Sequence, residues 1–90
     1  MKDHVDVFHP TLREAIAEAR LLGLKELADQ LENSAFAAYT TSSELLGETG
    51  QAIVGFINAA GNDATPSLLA KLHFCLEQVQ VVWPQIRVQR

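Results

Sequence analysis

Few side chains in this sequence have the chemistry to hold a metal or attack a substrate. There are three histidines (His4, His9 and His73), one cysteine (Cys75) and a handful of serines. His73 and Cys75 stand two apart, so on a helix they point about 200° from each other and cannot grip one ion together. No Cys-x-x-Cys, His-Glu-x-x-His or other paired ligand spacing is present. Ser34, Ser42, Ser43 and Ser67 fall at helix ends, where a hydroxyl caps the backbone, and there is no Gly-x-Ser-x-Gly elbow. Glu14 with Glu18, and Glu44 with Glu48, are carboxylate pairs one helical turn apart, a pattern that ordinarily marks a solvated face. No glycine-rich phosphate loop follows a strand, because no segment reads as a strand. The chain is therefore expected to be no enzyme, with no catalytic residue, no cofactor and no metal.

The pattern that asks for an explanation is "SSELLGETGQAIVGF", Ser42 to Phe56. It reads as a helix, yet holds Gly47, Gly50 and Gly55, each costing about 1 kcal/mol against alanine. Gly50 lies at the edge of the apolar arc, where it would let a neighbouring helix come close. Gly47 and Gly55 fall on the polar side, with Gln51 between them and Glu44 and Glu48 flanking. Three explanations stand open: glycines tolerated on an exposed face, a kink, or a smooth strip approached by another backbone, from a partner chain or from this chain's own termini. The last makes Glu44, Gly47, Glu48, Gln51 and Gly55 a candidate partner-binding strip.

The elements that must position these residues are four helices. The first is expected over about 10–22, opening at Pro10 or at the Thr11-x-x-Glu14 capping box. Leu12, Ala15, Ile16, Ala19 and Leu22 share one face, and Gly23 ends the helix. The second runs over about 24–38, with Leu24, Leu27, Ala28, Leu31, Ala35 and Ala38 as its stripe. The third spans 42–60 behind a Thr41-x-x-Glu44 capping box. Its arc is Leu45, Leu46, Thr49, Ala52, Ile53, Phe56, Ile57 and Ala60. The fourth spans 66–83, capped by Thr65, opened by Pro66 and stopped by Pro84. Leu68, Leu69, Leu72, Cys75, Leu76, Val79, Val82 and Trp83 form its core face, and residues 85–90 read as a flexible tail. Opposite that face lie Ala70, Phe74 and Val81. They form a second apolar stripe that either the termini (Val5–Phe8, or Ile86 and Val88) cover or a second subunit does. The fold class is all-α, a compact four-helix bundle or orthogonal helical array in one domain over residues 1–90.

Composition narrows the partners. The 90 residues carry a net charge of −4, with seven bases scattered along the chain and none between Glu26 and Glu48. A phosphate backbone would be repelled by such a surface, so nucleic acid is not expected, and a basic protein would be steered toward it. No apolar run approaches the ~20 residues of a membrane span. The segment "MKDHVDVFHP" has acids where a signal peptide needs bases, and one cysteine allows no internal disulfide, so a cytoplasmic location is expected. In size and charge alone the chain resembles small acidic helical proteins of bacteria, including immunity and antitoxin proteins. The expected function is binding to another protein, as an inhibitor or regulator of a basic partner. The alternatives are a structural homo-oligomer, such as a homodimer through Ala70, Phe74 and Val81, and a helical bundle that binds a small ligand or metal.

Overall fold

Helix α1 (His4–Leu21) begins six residues before the expected start, and Pro10 lies inside it. The computed structural model describes residues 4–88, apart from the side chains of residues 4–7 and 42. Proline at this point has no N–H to give the Asp6 carbonyl. The turns around it are held instead by tertiary contacts: Phe8 is fully buried, and the Cys75 thiol donates to the Phe8 carbonyl at 3.7 Å. Burial thus carries the helix past a residue that local preference reads as its start. Leu12, Ala15, Ile16 and Ala19 enter the core as their spacing requires, but Leu22 does not.

The end of α1 follows from Gly23, whose φ of 84° places it in the left-handed region. Its N–H reaches the Arg20 carbonyl at 3.1 Å, and the Leu24 N–H reaches the Ala19 carbonyl at 2.9 Å. These two bonds make the Schellman closure, which satisfies carbonyls the helix end leaves open. Leu24 then turns inward against the core. Arg20 ties the corner to the next helix, bonding Asp29 and Glu32 at 2.9 Å each, while Lys25 reaches Asp29 at 3.0 Å.

Helix α2 (Lys25–Ala35) stops three residues short of the expected end. Phe36 leaves the helix to meet the His9 ring at 4.7 Å, under the Arg13 guanidinium at 4.2 Å. The Tyr39 hydroxyl donates to the Ser34 carbonyl at 2.7 Å and so closes the helix end. Ala38, expected on the apolar stripe, is exposed beyond it. Helix α3 (Ser42–Ala60) has the expected bounds, with the Thr41 hydroxyl accepting from the Glu44 N–H at 3.1 Å. A 3₁₀ turn (Gly61–Asp63) leads to helix α4 (Pro66–Gln80), whose cap is the Thr65 hydroxyl, accepting from the Leu68 N–H at 3.2 Å.

Each helix packs on its neighbours in sequence, and α1 against α4 closes the ring. This is the all-α four-helix bundle or array expected, with no strand among the described residues. Leu12, Leu31, Leu46, Ile53, Leu68, Leu72 and Val79 fill the centre from all four helices. Glu18 staples α1 to the start of α4. It accepts from Lys71 at 2.6 Å, Thr65 at 3.1 Å and Ser67 at 3.3 Å, and those bonds hold its carboxyl below the usual range. It is therefore not the solvated partner of Glu14 that its spacing suggests.

Helix α4 ends three residues before the expected stop, so Val82 and Trp83 lie beyond it and Val82 is exposed. The chain reverses there and runs back along α3. Residues 85–88 are no free tail: Ile86 and Val88 pack against the core, and Gln80 Nε2 donates to the Ile86 carbonyl at 3.1 Å. Residues 89 and 90 lie outside the described part.

Candidate functional site

The glycines of α3 explain where the C-terminal segment rests. A Cβ at Gly50 would stand 2.6 Å from Val79 Cγ1 and 3.0 Å from Ile86 Cγ2, so α4 and the returning segment both use its bare backbone. A Cβ at Gly47 would stand 3.3 Å from the indole nitrogen of Trp83. That indole lies flush on α3 and donates to the Ser43 carbonyl at 2.8 Å. The solvent-facing place expected for Gly47 is thereby corrected: this chain's own indole covers it, which its position on the helix wheel could not show. Gly55 is different, because a Cβ there would meet nothing within 4 Å.

Between α3 and the C-terminal segment runs a groove of about 460 Å³. Glu44, Gly47, Glu48 and Gln51 line one wall, and Trp83, Gln85 and Ile86 the other. A second groove of about 440 Å³ continues past Gln51 to Val54, Gly55 and Arg87, sharing Gln51, Gln85 and Ile86 with the first. The strip read from the sequence is thus one wall of a trough, with four of its residues in the first groove and Gly55 in the second.

The first groove holds two carboxylates and no base among its lining residues. Neither the Glu44 nor the Glu48 side chain is in an ion pair or hydrogen bond among the described residues, whereas Glu18, Asp29 and Glu32 all are. Glu44 also lies in the first turn of α3, where the helix dipole favours a negative charge. The field of the pair reaches Tyr39, whose hydroxyl pKa is pushed up by burial first and by Glu48 and Glu44 next. An unpaired acid pair beside an indole suits a cationic group.

The wall opposite the strip is what sequence reasoning missed. Trp83 reads as a core residue of α4, and Gln85, Ile86 and Arg87 as tail. The available signal was Ile86 and Val88, an apolar pair two apart after Pro84, as in an extended segment with one face down.

The residues of the second apolar stripe are exposed. Ala70 is exposed, Phe74 is 38% exposed and Val81 63%. Ile86, one of the residues expected to cover it, is seated on α3 instead, and the side chains of Val5 and Val7 lie outside the described part. No cluster of three metal-ligating side chains exists among the described residues. Cys75 is fully buried, and burial pushes its thiol up to about 12. No helix among the described residues is long and apolar enough to cross a membrane. Compared with protein-family models, with curated proteins and with solved structures, the chain matches none.

Proposed function

We propose that this is a non-enzymatic binding protein that takes a basic segment of another protein into the groove between α3 and the C-terminal segment. By covering that segment it inhibits or regulates its partner. The supporting observation is the Glu44–Glu48 pair, left without a counter-charge among the described residues, on the wall of a groove that also presents Trp83. The charge steers the encounter, and the indole and Ile86 supply apolar contact once the segment is seated. Trp83 is the chain's single tryptophan, so its fluorescence reads the groove directly. A short blocked peptide of alternating Arg and Ser is expected to shift that emission saturably and to lose affinity as salt rises. The Glu44→Gln/Glu48→Gln variant should bind about tenfold more weakly, two exposed charge contacts having been removed. No saturable shift, or equal binding by the variant, would overturn the reading. The competing use of the surface is self-pairing through the exposed Ala70, Phe74 and Val81. Light scattering over a concentration series decides that, since a dimer abolished by Phe74→Glu would assign this face to a second copy.

A further inference from the structure

The two grooves make one trough with ends of opposite charge. At the start of α3 stand Glu44 and Glu48. At the other end stands Arg87, with Gln51, Val54, Gly55, Gln85 and Ile86 and no acid. Arg87 is exposed and has no ion pair or hydrogen bond among the described residues. The other described bases are engaged: Arg20, Lys25 and Lys71 with carboxylates, Arg13 over Phe36. The order along the trough follows from the contacts of Trp83 with Gly47 and of Ile86 with Gly50, and Arg87 then lines the second groove together with Val54 and Gly55. The C-terminal segment therefore runs in the same direction as α3.

The length of the α3 wall from the acid pair to Gly55 sets the reach of an occupant that meets both ends of the trough. From the level midway between Glu44 and Glu48 to that of Gly55 is about nine residues of helix, or about 13 Å at about 1.5 Å each. Four residues of extended chain cover the same distance at about 3.3 Å each. Helical chain would bring side chains four apart to within only about 6 Å. Extended chain covers that distance with the fewest residues, and on the far wall the backbone groups of Gln85, Arg87 and Val88 make no hydrogen bond among the described residues. Gly55 leaves the α3 wall flat beside them.

The geometry points to an extended segment of a partner protein with a basic and an acidic side chain four residues apart, the basic one between Glu44 and Glu48 and the acidic one on Arg87. This rests on the groove reading above and adds to it the second charge, the spacing and the conformation.

Three blocked peptides test it by Trp83 fluorescence: Ser-Lys-Ala-Val-Ala-Glu-Ser, and the same peptide with Gln or Lys in place of Glu. The Glu peptide should bind about two- to fivefold more tightly than the Gln peptide, and the Lys peptide more weakly still. Arg87→Glu, at an exposed side chain with no bond among the described residues, should keep the helical circular dichroism and reverse that order. If all three peptides bind alike, or Arg87→Glu leaves the order unchanged, the two-ended trough is wrong. If binding nonetheless depends on Glu44 and Glu48, the groove reading survives alone. If none of the peptides binds, both fall.

Discussion

Alanine at the three glycines of α3 should give three different results from one chemical change. Each substitution gains about 1 kcal/mol from reduced freedom of the unfolded chain and better helix preference. At Gly55 nothing lies within 4 Å of the new Cβ, so stability should rise by about 0.5–1 kcal/mol. At Gly50 the Cβ would stand 2.6 Å from Val79 Cγ1, on a fully buried, β-branched side chain with a stiff χ1. Overpacking at so short a contact falls in the upper part of the usual range, about 2–3 kcal/mol, which outweighs the helical gain and leaves a net loss of about 1–2 kcal/mol. At Gly47 the nearest atoms are Trp83 Nε1 at 3.3 Å and Cε2 at 3.4 Å, so the indole must retreat by a few tenths of an ångström. That stretches its 2.8 Å bond to the Ser43 carbonyl, and losing part of a bond worth about 1 kcal/mol roughly cancels the gain. Urea melts followed by circular dichroism and by Trp83 fluorescence would measure all three, with about 4–8 °C of Tm per kcal/mol as a cross-check. A Gly50→Ala protein as stable as the parent would refute the close packing of α3 on Val79 and Ile86. A destabilised Gly55→Ala protein would refute the open face there.

Thr49 is fully buried on α3, and its hydroxyl has no hydrogen-bond partner among the described residues. Thr49→Val keeps the shape and should stabilise the protein by about 1 kcal/mol in the same melts, and a loss would show that the hydroxyl is bonded. Glu18 and Asp29 titrate below their ordinary values of 4.5 and 3.8, through bonds from Lys71 and Arg20 respectively. A lowered folded-state pKa means fewer bound protons in the native state. Their stabilisation is therefore complete above those ordinary values and fades as pH falls below them. Tm should hold level down to about pH 5 and drop below it, with a smaller drop in Glu18→Gln. Cys75, with its thiol raised to about 12, should resist alkylation at neutral pH until urea unfolds the whole chain. Labelling that precedes the circular dichroism transition would contradict its burial.

Much of the fold was legible because it depends on local signals. The Thr41 and Thr65 caps, Pro66 and Gly23 each act on the backbone within a few residues, so α3 and the start of α4 stand where those signals put them. The misplaced boundaries share a different cause. Pro10 reads as a helix start but lies inside α1, because packing of Phe8 outweighs its local cost. The ends of α2 and α4 recede because Phe36 and Trp83 find partners away from the helix axis.

For the site, sequence by itself determined that α3 carries acids and bare backbone on one face, since a period of about 3.6 residues fixes which side chains share a side. It also determined the excess of acid over base and the absence of any metal-ligand or nucleophile pattern. Only the tertiary structure decided what the bare backbone is for. Gly47 and Gly50 seat Trp83 and Ile86, and a contact between residues more than thirty apart has no local signature. Arg87, a scattered base in sequence, becomes one end of a trough because the chain turns over residues 81–86 and runs back along α3.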